Sequence, residues 1–256
     1  MDVAAIAAEA LAALDSGRQI ASFSARLPQF SLADAYRVTA AMRQAREARG
    51  ERPVGRKIGF TNRTIWAEYN VYAPNWGTVY DRTVRNLADI GGTFPLGTLA
   101  EPRIEPEIVF GLARAPAPGM DDTALLAALE WVALGCELVQ SPFPNWKFSP
   151  ADTTAANALH GALLIGPRFP VAPHAARWLR ELAGFEIVLK CGDRVADRGH
   201  SRNVLGGPLH ALRHLVDLLA GDDVNPPLSA GDIVTTGTLT RALPVRPDDS
   251  WSTELP

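Results

Sequence analysis

The 256-residue chain has only two cysteines, Cys136 and Cys191, too few for a disulfide framework and not spaced as a thiolate metal motif. A reducing cytoplasm suits such a protein. It also lacks a field of one sign. The formal charge is −3, and no run of Lys or Arg marks a nucleic-acid or anionic-membrane footprint, so neither partner is expected. No apolar run approaches the ~18 residues of a membrane span. The N-terminal stretch is alanine-rich but acidic, without the basic region and continuous apolar core of a signal peptide. Although glycine is plentiful, no Gly-x-Gly-x-x-Gly leads from a strand into a helix and no Walker A sequence occurs, which argues against nucleotide binding. No Gly-x-Ser-x-Gly elbow or Cys/His pairing supports a nucleophilic hydrolase. Internal repeats and long linkers are missing too.

What is present is an ordinary globular composition, 47% apolar, enough for a substantial core. Residues 2–16 are good helix formers stopped by Gly17, and Ser31 with Asp34 resembles a capping box opening a helix that runs to Gly50. A helical segment over 1–50 is therefore expected to precede a strand-rich body over 51–256. Within that body the patterning predicts strands at 54–60, 76–80, 103–113, 132–139, 159–165, 233–239 and 242–245. A hairpin over 185–198 turns at Gly192-Asp193. Helices are predicted at 121–131 and 208–220, and Thr61 or Asn62 caps a helical turn reaching Tyr69. Strands and helices do not alternate strictly, which excludes a doubly wound parallel sheet.

The stretch that organises the chain is Pro-Arg-Ile-Glu-Pro-Glu at 102–107. On a strand, residues i and i+2 project from one face, so Glu105 and Glu107 enter the same space. Like charges that close repel unless something positive lies between them, most simply a divalent cation. The other reading is a strand whose solvent face carries two glutamates. Pro106 has no N–H, which suggests a sheet edge or bulge. Glu137, flanked by apolar residues on the strand that follows one helix later, would be partly buried and need a partner, a metal or a basic side chain. If the three acids converge, their all-oxygen donor set selects Mg²⁺ or Mn²⁺ over zinc or copper.

Lys57 and Lys147 each stand among small or bulky apolar neighbours, as snorkelling stems or as desolvated functional amines. An anionic substrate beside three carboxylates would call on both. His210 and His214, at i and i+4 of the 208–220 helix, fall opposite its apolar stripe and read as a solvated face. His160, His174 and His200 are isolated in the sequence.

Taken jointly, Gly-Arg-Lys-Ile-Gly-Phe-Thr at 55–61, Pro-Asn-Trp-Gly at 74–77, the glutamate motif, Glu-Leu-Val-Gln-Ser at 137–141, Trp-Lys-Phe-Ser-Pro-Ala-Asp-Thr at 146–153 and Gly-Asp-Ile-Val-Thr-Thr-Gly-Thr at 231–238 resemble one family. It is the 2-keto-4-pentenoate hydratase and 4-oxalocrotonate decarboxylase group of the fumarylacetoacetate hydrolase superfamily. The resemblance implies an α+β fold, a mixed β-roll with flanking helices behind an N-terminal helical segment, and a cytoplasmic homo-oligomer. It implies Glu105, Glu107 and Glu137 as ligands of Mg²⁺ or Mn²⁺, and Lys57, Lys147 and Asn75 at the catalytic positions. Thr236 and Gly237 would line the substrate. The implied reaction is metal-dependent hydration of 2-hydroxypenta-2,4-dienoate in aromatic catabolism. Decarboxylation of 2-oxohex-3-enedioate, hydrolysis of an acylpyruvate C–C bond, or ligand binding without turnover are the alternatives. The sequence departs from the hydratase pattern at Asn75, where an aspartate is usual, at Gln140, and at Leu159 and His160, where small hydroxyl residues are usual. Trp76 is closer to the decarboxylase branch. A further closing strand is expected where the sequence ends, after Trp251.

Overall fold

A computed structural model describes residues 1–255. Its helices are α1 (Val3–Ser16), α2 (Phe23–Arg26), α3 (Leu32–Ala48), α4 (Trp66–Tyr69), α5 (Asp122–Leu126), α6 (Pro150–Ala155), α7 (Ala175–Ala183) and α8 (Pro208–Ala220). The strands are β1 (Pro53–Gly59), β2 (Asn75–Tyr80), β3 (Val84–Asn86), β4 (Arg103–Leu112), β5 (Leu129–Val139), β6 (His160–Pro170), β7 (Glu186–Cys191), β8 (Arg194–His200), β9 (Ile233–Thr235), β10 (Leu243–Pro244) and β11 (Trp251–Glu254). Eight of them form one sheet in the order β2-β1-β9-β4-β5-β6-β3, with β10 also on β4; β11, β7 and β8 form a second sheet. The β1–β9 and β3–β6 pairs are parallel and the rest antiparallel, so the expected mixed α+β class holds.

Local signals set the ends of the N-terminal helices. Asp2 accepts the Ala5 N–H at the start of α1, and Gly17 closes it at φ 67°. Ser31 and Asp34 form the anticipated capping box on α3. Their apolar faces pack with α6 and the end of β5: Leu14, Phe23, Val38 and Met42 share one cluster with Val139, Phe143, Ala155 and Leu159. Each fully buried large side chain there contributes roughly 1.5–3 kcal/mol. The N-terminal helices thus brace the segment that turns from β5 into β6.

Three expectations need correction. The helix begun at Asp121 ends at Leu126, and Leu129–Trp131 belong to β5, paired with Leu112 on one side and Pro170 on the other. Leu-Ala-Ala-Leu-Glu-Trp is good helix sequence, but strand pairing on both sides overrides propensity. The 233–239 strand is regular only to Thr235, because Gly237 takes φ 95° and leaves the ladder. Pro106 is not at a sheet edge: β4 runs between β5 and β9, and its missing N–H falls in the interval between the residues paired with β10 and with β9. The break in the ladder is interior, which is how a proline is accommodated in a central strand.

Candidate active site

Strand register assembles the site. Glu105 pairs directly with Glu137 across β4 and β5, and Thr235 of β9 pairs with Val109 on one side and Lys57 on the other. Directly paired residues project to the same face, as do i and i+2 along a strand. Lys57, Thr235, Glu105, Glu107 and Glu137 therefore share one face, which is otherwise closed by Val79, Val109, Leu163 and Ile165. One carboxylate oxygen from each of the three glutamates lies within 4.8 Å of the other two.

Such a cluster is not neutral to its surroundings. Burial, then the neighbouring carboxylates, pushes Glu107 well above the usual carboxylate range. Glu105 is pushed up to about 7, by burial foremost, with Glu137 adding to it and Lys57 opposing. Burial acts on Glu137 in the same direction, but Lys57 and the His160 hydrogen bond outweigh it and hold this carboxyl low. Burial alone would lower Lys57; the three glutamates, Glu137 first, raise it instead. Lys57 Nζ lies 3.1 Å from Glu137 Oε2, an ion pair whose angles miss those of a hydrogen bond, and donates to the Ala158 carbonyl at 3.0 Å. Three carboxyl groups thus converge around one ammonium.

Glu107 Oε2 accepts the Gly237 N–H at 2.7 Å and the Thr235 hydroxyl, while buried Oε1 has no partner among the described residues. An orphaned carboxylate oxygen beside two further acids is a mismatch that a hard divalent ion removes, and oxygen-only donors suit Mg²⁺ or Mn²⁺. Glu105, Glu107 and Glu137 fit such an ion.

The backbone around the cluster is unusual. Asn157, Ala158 and Leu159 all lie in the left-handed region, at φ 54°, 49° and 63°. Each costs about 1–2 kcal/mol relative to the right-handed form. Asn157 compensates by pairing its amide with both backbone groups of Thr78, accepting at 2.7 Å and donating at 2.9 Å. This turn aims the Ala158 carbonyl at Lys57. Gly237 meets a second constraint: a Cβ there would fall 1.8 Å from Thr61 Oγ1, so only glycine allows its N–H to reach Glu107.

The other expected residues divide. Asn75 is buried at the start of β2, its Nδ2 donating to the Thr153 and Thr154 hydroxyls at 3.1 Å each, its Oδ1 unpartnered against Gly59. The Thr236 hydroxyl donates to the Ile108 carbonyl instead of facing the cavity. Lys147 is exposed, and no polar partner for its ammonium occurs among the described residues. His210 is exposed as expected, whereas His214 is half-buried.

Sequence reasoning did not find several neighbours. His160 is buried, with Nδ1 2.7 Å from Glu137 Oε1. Thr235 binds Glu107. Arg103, two residues before Glu105, donates to the Tyr69 hydroxyl at 2.6 Å, and its guanidinium lies 4.3 Å from the centre of the Trp146 ring. Phe60, Tyr69 and Trp146 with Lys57 and Glu105 line a cavity of only about 30 Å³, room for a water or two. The one sequence signal at His160 is that it stands where the hydratase pattern has a small hydroxyl residue; nothing in the sequence gives its partners.

No protein-family model matches the chain. It is 33% identical to 2-keto-4-pentenoate hydratase 1 of Dechloromonas aromatica (strain RCB) over 98% of this chain and 92% of that protein. Among solved structures it is similar to the 4-oxalocrotonate decarboxylase of Pseudomonas putida G7 complexed with magnesium and adipate. The TM-score there is 0.84 at 28% identity, covering 99% of this chain and 93% of that one. A yeast fumarylacetoacetate hydrolase family protein, 15% identical with a TM-score of 0.54 over 78% of this chain and 85% of its own, shares the fold alone.

Proposed function

Because the chain belongs to the 2-keto-4-pentenoate hydratase and 4-oxalocrotonate decarboxylase family, whose fold is shared with fumarylacetoacetate hydrolase family proteins, we propose that it is a divalent-metal-dependent lyase of small 2-oxo acids that hydrates 2-hydroxypenta-2,4-dienoate. The observation that carries the reading is the convergence of Glu105, Glu107 and Glu137 beside the buried Lys57 ammonium. The three glutamates would hold Mg²⁺ or Mn²⁺. When bound, such an ion supplies electrophilic stabilisation of negative charge developing on the oxygens of a 2-oxo acid.

The chain's own groups do the rest. Lys57, its proton held by surrounding carboxylates, attracts the substrate carboxylate and can deliver or take a proton at Nζ. Asn75 cannot act as a base, since an amide is far too weakly basic to take a proton near neutral pH; its free Oδ1 can orient a water or a substrate hydroxyl. Gly237 keeps Glu107 aimed by its N–H. The aromatic rim of Phe60, Tyr69 and Trp146 leaves little room beside Lys57 and Glu105, which limits the water at the reacting atoms. Lys147, supported by the resemblance and by its neighbour Trp146 at the cavity, is retained as a second cationic group. Residues 1–50 act as a buttress for the catalytic body 51–256. Homo-oligomerisation and a cytoplasmic location belong to the same reading, and no described helix is long and apolar enough to cross a membrane.

Decarboxylation of 2-oxohex-3-enedioate is the second reading, favoured by Asn75: that reaction needs no base to activate water. Assaying both substrates with Mg²⁺ and with Mn²⁺, following loss of dienol or enedioate absorbance, decides between them. Turnover of the dienol supports the hydratase. Turnover of the dicarboxylate alone transfers the assignment, and ligand binding without turnover of either defeats both.

A further inference from the structure

Glu137 is held on both sides, and the side away from Lys57 is unusual. Its Oε1 meets Nδ1 of His160 at 2.7 Å, and Nε2 of the same ring lies 2.8 Å from the Thr83 hydroxyl. An ionised carboxylate only accepts hydrogen bonds, so Nδ1 must carry the hydrogen. A neutral ring then presents Nε2 as an acceptor. The group placed to donate to it is Thr83 Oγ1, which also lies 2.9 Å from the Tyr80 carbonyl and receives the Tyr80 N–H at 3.3 Å. The Thr83 hydrogen can satisfy either the carbonyl or the ring; given to the ring, it leaves every site on the imidazole used. Both nitrogens of this buried ring are committed, as burial requires, and one of the two partners is a carboxylate of the cluster.

We propose that Thr83 and His160 are positioning residues for the carboxylate cluster. Glu137 sets the Nδ1–H tautomer, Thr83 donates to the Nε2 that this leaves bare, and His160 fixes the rotation of Glu137 so that Oε2 is the oxygen turned towards Lys57. The proposal rests on the reading that the three glutamates hold a cation, and it adds two residues to the apparatus that sets their geometry. Outer hydrogen bonds of this kind act by orienting a ligand atom, and their removal typically costs ~10–100-fold in metal affinity.

The test measures Mg²⁺ and Mn²⁺ affinity by calorimetry on His160→Leu, His160→Asn, Thr83→Val and Thr83→Ser, with the metal-free melting temperature of each. His160→Leu should weaken binding ~10–100-fold. The asparagine variant, whose amide N–H falls near the position of Nδ1, should recover most of that loss. Thr83→Ser should match wild type, and Thr83→Val should fall between. ¹⁵N NMR of the ion-free wild type should show His160 with Nδ1 protonated and Nε2 bare. Affinity within twofold of wild type in folded His160→Leu, or an asparagine variant no better than leucine at equal stability, overturns the proposal. So does an Nε2–H tautomer, which is read without any metal and remains decisive if His160→Leu does not fold. If wild type binds no divalent ion, the metal-site reading fails on its own.

Discussion

Glu107→Gln tests the metal reading most directly, because the substitution keeps shape and removes charge. The amide oxygen can replace Oε2 and keep the Gly237 N–H and the Thr235 hydroxyl, leaving the NH₂ where the unpartnered Oε1 now lies. Carboxylate oxygens within 4.8 Å of one another repel by about 3.5 kcal/mol or more per ionised pair at an effective dielectric of about 20. Removing one of them should therefore leave the ion-free protein at least as stable as before. Ion binding behaves oppositely. At a metal concentration 100 times Kd, wild type gains about 2.7 kcal/mol, and for a chain of this size each kcal/mol raises Tm by roughly 2–4 °C. The expected shift is about 5–11 °C. If the variant binds 100-fold more weakly, the same concentration equals its Kd, the gain falls to about 0.4 kcal/mol, and the shift shrinks to about 2 °C or less. Differential scanning fluorimetry with and without Mn²⁺ reads both quantities. A variant with the full wild-type shift removes Glu107 from the ligand set, and one whose ion-free Tm collapses makes its carboxylate structural.

Lys57→Met should remain folded and metal-bound while kcat falls ~10²–10⁴-fold; near-normal turnover excludes it from proton transfer. Lys147→Met, at an exposed position, should leave melting unchanged and lower turnover tenfold or more, and unchanged turnover removes it from the mechanism. Asn75→Asp should raise dienol hydration while decarboxylation stays level or falls, with some loss of stability because the Thr153 and Thr154 hydroxyls must turn away from the Pro150 carbonyl to serve a carboxylate. No gain in hydration would show that another group activates the water. Glu105 links the site to pH: its folded pKa, raised to about 7 by burial, stands above the unfolded value near 4.5. Its ionisation therefore costs the ion-free fold stability as pH rises from about 4.5 through 7, and protons compete with the cation below about 7. Melting should fall over that window without metal, and Mn²⁺ affinity should weaken on acidification; flat profiles in both would contradict this account of the cluster.

The sequence alone determined the elements whose cause is local. Asp2, Ser31 and Asp34 mark helix starts through bonds to their own backbone neighbours, Gly17 marks a helix end by its left-handed backbone, and Gly192-Asp193 marks a hairpin by turn chemistry. The i, i+2 spacing placed Glu105 and Glu107 on one face, since a strand has period two whatever surrounds it. Tertiary structure decided everything that depends on register between distant strands. Glu105 faces Glu137 because β4 and β5 align at that residue and not one position away, and a slip of one would send the carboxylate to the opposite face. The same pairing turned the helix-forming 129–131 stretch into strand and set Pro106 in an interior gap. His160 looked isolated because its partners are distant in the chain, Glu137 on β5 and Thr83 in the turn before β3. Lys57 could be read as a snorkelling stem or a functional amine until burial beside three carboxylates removed water as its alternative partner. A residue's type states which charges and hydrogen bonds it can offer; only the folded sheet, by bringing some groups within a few ångströms and excluding solvent from the rest, settles which of them it must use.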